Sequence, residues 1–474
     1  MVEKRLKTLK SKGVVCFIIF FFTLYSSLSS AHAFSIGDER EIGEKLLYSV
    51  RSSFTLIDDP DITQYLTSLG DSCLQVAGIQ YFDYHFFVID NKEFNAFAAP
   101  SGLIFFHSGL IGAMHSENEL VSVLAHEIGH IVKRHLASRV EKGKYTTMTS
   151  LGLALAALAF GGAATPALLT GALATGQSLS LHFSRQHEEE ADQLAYGWMQ
   201  KMQRDPEGQA KMLESMRRIA RYRSDKLPQY LLTHPNPEAR LNYIESLLDV
   251  DRENSAISYE KTDDFEFFRF KYRILSKVKD SKVFKTYLAS VLSDARSSQF
   301  KKVMADYGMS QIKKDEKDFD TSLALLEKVI NYFPDRVILK VDRGVIEFEA
   351  GRFAQAERTL KEALIKDSGN MYGAFTLGQL LYRTGRLTEA KEYFKTVSFE
   401  LPEYAKVYFE LGKIAAEERK NGISRYYLGK YNLYEGKLKL AGQSLRAALR
   451  DTNLPAEIKK ESEGLLEKID KLLE

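Results

Sequence analysis

Residues 115–136 read HSENELVSVLAHEIGHIVKRHL, and their apolar side chains recur at helical spacing. Ser116 and the glutamate three residues after it form a predicted capping box at the start of this helix. His126 and His130 are four residues apart, which places them on one helical face. That spacing lets two imidazoles bind one zinc ion, while Glu127 beside them can take a proton from water.

The alternative is an amphipathic helix whose histidines are solvated. With 10 histidines in the chain, a chance His-Glu-x-x-His is about a 1% event. Apolar neighbours such as Leu124 and Ile128 also favour burial. A metzincin motif would need glycine at 133 and histidine at 136, where this chain has Lys133 and Leu136. His135 is therefore expected at the surface or behind a ligand, outside the metal site.

A catalytic zinc site needs a third protein ligand and an open position for water. Residues 183–199, FSRQHEEEADQLAYGWM, provide a helical run of carboxylates. Glu188 and Asp192 share one face, so one could bind the metal and the other could orient a histidine ligand. Spacing alone leaves Glu189 and Glu190 as alternatives, and a run of glutamates is most often a solvated face.

A further histidine lies in LLTHPNPEARL, residues 231–241. Pro235 excludes His234 from helical geometry, Asn236 is a predicted N-cap, and Pro237 suits the first helical position. His234 is therefore expected on a loop from which it can approach the metal. An ordinary turn histidine is the alternative.

The segments before the helix that carries His126 and His130 mix helical and strand patterns. Residues 36–54 and 60–77 have helical period, whereas 84–90 (YHFFVID) and 103–111 (LIFFHSGLI) are typical of strands. Residues 91–100, NKEFNAFAAP, are expected to form a turn or a sheet edge between the two strands.

The first 33 residues predict a secretory signal peptide that is cleaved after Ala33, because a basic start precedes a short apolar core and Ala-His-Ala. An uncleaved anchor is the alternative, although the core is short for a membrane span. Cleavage leaves Cys73 as the single cysteine, so any metal must be held by histidine and carboxylate. With 65 basic and 63 acidic side chains, no nucleic-acid partner is expected.

Residues 151–176, LGLALAALAFGGAATPALLTGALATG, are long enough to cross a bilayer. Gly161, Gly162 and Pro166 interrupt the stretch, which favours a hairpin of two short helices that is buried or faces a membrane. An integral-membrane protein anchored here is the alternative.

The C-terminal part carries a repeat. GRFAQAERTLKEAL begins at Gly351 and GRLTEAKEYFKTV at Gly385, 34 residues later. The same interval separates Gly344, Gly378 and Gly412. This period predicts tetratricopeptide repeats, which are helix pairs stacked into a solenoid whose concave surface commonly binds protein or peptide.

About four repeats are expected between residues 300 and 466. The last copy, GKLKLAGQSLRAAL, begins at Gly436, 51 residues after the GRL copy, so 419–435 is predicted to contain an insertion or a longer helix. The polar residues 251–266 are predicted to link the repeats to the preceding domain.

HEIGH, SRQHEEEAD and THPNPEAR followed by such repeats resemble a family of HEXXH zinc metallopeptidases that includes periplasmic β-barrel assembly-enhancing proteases and CAAX-prenyl endopeptidases. The resemblance implies an α+β, mainly α fold, with a zincin-like domain before an all-α solenoid. The ligand glutamate four residues after Ser184 would be Glu188, and the aspartate behind a ligand would be Asp192. His234 would cap the metal or assist the transition state, and the strand at 101–107 would border the cleft and pair with extended substrate.

The predicted organisation is a signal peptide (1–33), a zinc metallopeptidase domain (34–250), a linker (251–266) and a repeat domain (267–474). The resemblance implies a periplasmic location, with peripheral membrane contact through 151–176 as one option.

The predicted function is that of an exported zinc endopeptidase in envelope protein quality control, which degrades outer-membrane proteins or assists their assembly. One Zn²⁺ per chain would be held by His126, His130 and Glu188. Glu127 would be the general base, with help from His234. The alternative is a repeat-based chaperone or scaffold with a latent protease, in which the repeats contact the assembly machinery.

Overall fold

The computed structural model describes residues 35–141, 183–222, 229–253, 259, 262–279 and 281–473. The predicted signal peptide (1–33) and the apolar stretch 151–176 lie outside these ranges. Within them, no helix combines the length and the apolar character that a membrane crossing requires.

Among the described residues, the N-terminal part consists of helices around one small sheet. The predicted α+β, mainly α fold is confirmed. Its helices are α1 (Ile36–Ser53), α2 (Pro60–Ala77), α3 (Ser108–Ala113), α4 (Glu117–Val132), α5 (His135–Glu141), α6 (Arg185–Lys201), α7 (Glu207–Tyr222), α8 (Gln229–Thr233) and α9 (Pro237–Glu253). The strands are β1 (His85–Ile89), β2 (Ala96–Ala99) and β3 (Leu103–His107).

The sheet has the order β1-β3-β2, with β3 parallel to β1 and antiparallel to β2. The strand at 101–107 was expected to pair with substrate, and this expectation is wrong, because β3 is central and has a neighbour on each side. Ser101 and Gly102 have φ of 66° and 82°, and this turn folds β2 back onto β3. The edge next to the turn is therefore β2, within the segment predicted as a turn or edge.

Helix α4 runs through the core, in contact with α2, α6, α7 and β2. Ser116 caps it, since its Oγ accepts the backbone N–H of Glu119 at 3.3 Å. In a capping box the Glu119 carboxylate would accept the backbone N–H of Ser116. Here it accepts instead from the backbone N–H of the preceding residue, His115, at 2.9 Å. The helix is nevertheless buried along nearly its whole length, as its apolar neighbours indicated.

Helices α4 and α6 approach closely at Gly129. A β-carbon there would lie only 3.3 Å from the Cα of Ala191, so the small side chains at the crossing permit the contact. The histidines on either side of Gly129 and the carboxylates on either side of Ala191 are thereby brought face to face.

In the C-terminal part, every regular element of the described residues is a helix. Its helices are α10 (Asp264–Lys277), α11 (Ser281–Ser293), α12 (Gln299–Asp315), α13 (Phe319–Tyr332), α14 (Val337–Glu349), α15 (Phe353–Lys366), α16 (Met371–Arg383), α17 (Leu387–Glu400), α18 (Ala405–Glu417), α19 (Asn421–Tyr434), α20 (Leu438–Ala448) and α21 (Ala456–Leu473).

The interpretation of 419–435 as an insertion or longer helix is wrong. Lys317, Gly351, Gly385 and Arg419 stand at 34-residue intervals, and all have positive φ, between 59° and 80°. The turn before the second helix of each pair therefore recurs at Arg419, where a left-handed arginine replaces glycine. Helix α19 is the second helix of that pair and packs against α18. It also packs against α20, and α20 and α21 form one further pair.

Part of the predicted linker 251–266 is helical, because α9 continues to Glu253 and α10 begins at Asp264. Helix α10 also joins the two halves of the chain. Its phenylalanines lie in the same buried cluster as the core of the N-terminal part, which they share with α12 and α13.

Two arginines of α10 hold the junction. Arg273 Nη2 lies 2.8 Å from Asp59 Oδ2 at the start of α2, and its Nη1 lies 3.4 Å from Asp342 Oδ1 on α14. Arg269 Nε pairs with the other oxygen of Asp342 at 2.9 Å. Because these groups are buried, each charge depends on its partners for stabilisation.

The later repeats return to the N-terminal helices. Arg51 of α1 donates to the carbonyl of Tyr434 at 2.7 Å and pairs with Glu403 at 2.7 Å. Gln64 of α2 donates to the carbonyl of Gly369 at 2.9 Å. The solenoid therefore contacts the first two helices at several points along its length.

Candidate metal centre

Four donor side chains meet in the core. His126 and His130 come from α4, Glu188 from α6, and His234 from the residue after α8. One ligand atom from each lies within 4.8 Å of the others, and all four residues are buried. Of the residues the sequence singled out, these four are the ones whose ligand atoms the fold brings together as a possible metal site.

The spacing of three donors suits one tetrahedral ion. The Nε2 atoms of His126 and His130 are 3.1 Å apart, and each lies 3.6 Å from an oxygen of Glu188. Zinc bonds of about 2.0 to 2.1 Å at tetrahedral angles separate ligand atoms by roughly 3.3 Å. Two imidazoles and one carboxylate at these distances form a donor set that zinc accepts.

His234 adds a fourth donor. Its Nδ1 lies 3.4 Å from His126 Nε2 and 3.1 Å from Glu188 Oε1. Its ring stacks on Tyr230, with centroids 4.3 Å apart. The Nε2 atom is buried and has no hydrogen-bond partner within the described part of the chain. The loop position predicted for His234 thus brings it into the donor cluster, although Asn236 has φ of 60° and lacks the extended backbone of an N-cap.

Glu127 lies beside the donors but not among them. One carboxylate oxygen accepts from the Tyr230 hydroxyl at 3.3 Å and lies 3.7 Å from His234 Nε2. The other oxygen is buried and, as far as the described residues extend, has no hydrogen-bond partner. It is therefore free to accept a proton from water placed next to the donors.

Asp192 and Arg240 support the donors from behind. Asp192 Oδ1 lies 2.9 Å from His126 Nδ1, the position predicted for an orienting carboxylate. Arg240 binds Asp192 in a fork of two 2.7 Å contacts, and its Nη1 lies 2.8 Å from Glu188 Oε2. The sequence analysis missed Arg240, although it follows the THP loop by one helical turn in THPNPEAR.

Electrostatics keep both carboxylates ionised. Burial raises the pKa of Asp192, but Arg240 and His126 outweigh it and lower that pKa to about 2. For Glu188 burial is likewise outweighed, by His234 and Arg240, and the pKa lies well below its usual value. The centre therefore offers negative charge to a cation.

The two helix histidines differ. Burial and Arg240 lower the pKa of His126, but the nearby Asp192 carboxylate outweighs them and raises it to about 9. Burial and the neighbouring His126 hold the pKa of His130 well below its usual value. Since a metal must displace any proton from its imidazole ligands, metal binding should release a proton chiefly at His126.

His135 lies directly behind His130 and is only 2% exposed. Of the two positions expected for it, the surface is wrong and a position behind a metal ligand fits. Its two ring nitrogens contact His130 Nδ1 at 2.9 Å and Glu190 Oε2 at 3.0 Å. Glu189 points to solvent. The spacing of the three glutamates left their roles open, and the fold gives each one a different environment.

Comparisons with known proteins give family matches in both halves of the chain. Residues 60–248 match the profile of peptidase family M48. Residues 308–370 and 347–411 match tetratricopeptide-repeat profiles.

Curated relatives that the chain resembles are named as proteases. The chain is 39% identical to the β-barrel assembly-enhancing protease of Escherichia coli (strain K12) over 217 residues, which are 45% of this chain and 44% of that protein. It is 30% identical to the protein of the same name from Yersinia pestis over 345 residues, 72% of this chain and 69% of that protein. It is 31% identical to the mitochondrial metalloendopeptidase OMA1 of Schizosaccharomyces pombe over 212 residues, 44% of this chain and 60% of that protein. The match thus spans less than half the length of the first of these relatives.

Proposed function

Since this chain belongs to peptidase family M48, we propose that it is an exported zinc-dependent endopeptidase of the HEXXH type that acts in envelope protein quality control. The observation that carries the proposal is the convergence of His126, His130 and Glu188 at zinc spacing, with the free carboxylate oxygen of Glu127 beside them.

In this proposal one zinc ion is held by His126, His130 and Glu188. Bound there, zinc would supply Lewis-acid chemistry, which polarises the scissile carbonyl and acidifies water. Glu127 takes the proton from the attacking water and passes it to the leaving amine. Tyr230 orients the Glu127 carboxylate through its hydroxyl.

The residues behind the ligands fix their orientation. The guanidinium of Arg240 holds Asp192, and Asp192 in turn receives the Nδ1 proton of His126. This leaves the Nε2 lone pair of His126 directed at the metal position.

His234 acts as a cap in the same scheme. Its Nδ1 lies among the donor atoms, so it would help to hold a bound metal at rest, and the ring would have to move before water and substrate enter.

Substrates are protein segments in extended form. Strand β2 is an edge of the sheet and contacts α4, the helix that carries Glu127, so its backbone groups can pair with an extended polypeptide. The names of the relatives point to β-barrel proteins of the outer membrane as clients that this chain degrades or helps to assemble. The repeats would bind these clients or the assembly machinery.

The location is the periplasm. Residues 1–33 have the pattern of a signal peptide, and N-terminal sequencing of the exported protein should begin at Phe34. A first residue before Ala33 would indicate a retained anchor.

Glu127→Gln tests the enzymatic proposal. The purified protein should retain one zinc per chain but lose cleavage of an unfolded outer-membrane protein by about 10²- to 10⁴-fold, the usual contribution of a general base. Glu189→Gln, which changes a solvent-exposed acid of α6, is the matched control and should cleave normally. Cleavage by Glu127→Gln at the control rate, or absence of zinc from the wild type, contradicts the proposal.

The tetratricopeptide repeats favour a second candidate function, that of a chaperone or scaffold. The same variant separates the two in cells that lack the protein. If Glu127→Gln restores outer-membrane assembly as fully as the wild type does, binding rather than cleavage is the main role.

A further inference from the structure

Behind His130 there is a row of hydrogen-bonding groups that ends near the surface. His130 Nδ1 lies 2.9 Å from His135 Nδ1, and His135 Nε2 lies 3.0 Å from Glu190 Oε2. The first two residues are buried, whereas the Glu190 side chain is 36% exposed. His130 is thus connected to a surface carboxylate through one intermediate ring.

When His130 Nε2 is kept free for a metal, only one placement of protons lets both hydrogen bonds of this row form. If the His130 Nε2 lone pair points toward the donor cluster, its Nδ1 carries the proton and donates to His135 Nδ1. His135 then carries its own proton on Nε2 and donates it to the Glu190 carboxylate. Every ring nitrogen has a defined role, and both rings remain neutral.

We propose that His135 is a positioning residue for the metal centre, which fixes the tautomer and orientation of His130 and is itself fixed by Glu190. The inference rests on the proposed zinc site and deepens it. The two histidine ligands are then supported differently, His126 directly by buried Asp192, and His130 through a second histidine.

A turn in the backbone puts His135 in this place. Five residues along a continuous helix amount to about 500°, so the side chain would point roughly 140° away from His130. Helix α4 instead ends at Val132, and Arg134 has φ of 51°. The Arg134 guanidinium is anchored to Glu39 at 2.6 Å, and α5 starts at His135 in a new direction.

The intermediate ring is held on its other sides as well. His135 stacks on His187, with ring centroids 4.3 Å apart and planes at 14°. The second oxygen of Glu190 accepts from Gln186 Nε2 at 2.9 Å. A ring held by packing and by both of its nitrogens can keep His130 in one orientation.

Removal of the acceptor should weaken metal binding. Without His135, the Nδ1–H of buried His130 loses its partner, and the opposite tautomer, which cannot bind the metal through Nε2, becomes accessible. Loss of such supporting residues typically costs 10- to 100-fold in metal affinity or activity.

The experiment compares the zinc affinity of purified full-length variants by competition with a chelator. His135→Leu removes the acceptor and should weaken zinc binding 10- to 100-fold. His135→Asn keeps an acceptor oxygen near the Nδ1 position and should recover most of the affinity. Glu190→Gln should give a smaller loss, and Glu189→Gln, an exposed neighbour, should give none.

Cobalt-substituted samples supply a second measurement. The visible spectrum of bound cobalt should shift in His135→Leu and return toward that of the wild type in His135→Asn. If His135 served only to stabilise the fold, the spectrum would not recover in this way. The melting temperature of the metal-free proteins reports on folding independently of the metal.

Two results overturn the inference while leaving the proposed function intact. One is zinc binding by His135→Leu within about twofold of the wild type instead of the 10- to 100-fold loss. The other is an equal loss for His135→Leu and His135→Asn that follows a fall in melting temperature. If the wild type binds no zinc at all, it is the proposed function that fails.

Discussion

Replacing His107 with leucine should remove a pH-dependent loss of stability of about 3 kcal/mol. His107 is the last residue of β3, is fully buried and packs edge-on against Phe97. Burial lowers the pKa of His107 from 6.5 to about 4, against a weaker opposing interaction with the backbone of Glu93.

The magnitude and the sign follow from that difference. Between pH 6.5 and about 4 the unfolded chain binds a proton at His107 that the folded protein excludes, so acid favours unfolding. The stabilisation is complete above pH 6.5 and is lost as the pH falls to about 4. At about 1.4 kcal/mol per pKa unit, a shift of roughly 2.5 units corresponds to about 3 kcal/mol.

Urea unfolding from pH 7.5 to 4 measures this effect. Trp198, the single tryptophan, is 4% exposed and belongs to the large buried cluster that also contains Phe106, so its fluorescence reports on the unfolding of that core. Both proteins are kept free of metal, so that zinc release does not contribute. The stability of the wild type minus that of His107→Leu should decrease by about 3 kcal/mol as the pH falls.

A constant difference between the two proteins would refute the reasoning, because His107 would then be protonated as easily in the folded state as in the unfolded one. Any offset at pH 7.5 from altered packing is independent of pH and does not affect the test. His115→Leu, which changes a side chain that is 68% exposed, should follow the wild type.

Two further substitutions test the cap and the junction. His234→Ala should increase cleavage of an unfolded protein by roughly 10-fold, because a state in which the ring has left the donor cluster, populated at about 10%, would become the main one. A decrease in the same peptidase assay would indicate that the ring assists the transition state. Arg273→Met leaves Asp59 and Asp342 buried with fewer partners and should destabilise the protein by about 3 to 5 kcal/mol in urea unfolding. A change below about 1 kcal/mol would show that the junction does not depend on this charge.

The N-terminal and C-terminal halves of the chain share one buried core, so the stability of each half depends on its packing against the other. Helix α10 buries its phenylalanines against both, and its arginines pair with carboxylates from each. The repeats are therefore packed against the domain that carries the donor cluster.

The sequence by itself determined the chemistry that depends on local period. The i, i+4 spacing places His126 with His130 and Glu188 with Asp192 on helical faces, and the 34-residue interval predicts the helix pairs. The resemblance to a known family then selected Glu188 from its neighbours. Local rules suffice here because a helix fixes the direction of each side chain relative to those one turn away.

Only the tertiary structure decided which groups complete the site. His135 reaches His130 because the turn at Arg134 redirects the chain, and Arg240 joins Asp192 across a separation of 48 residues. Strand β3 became central when the turn before it placed β2 at its side. These contacts arise from packing between elements distant in sequence, and neither periodicity nor residue spacing encodes them.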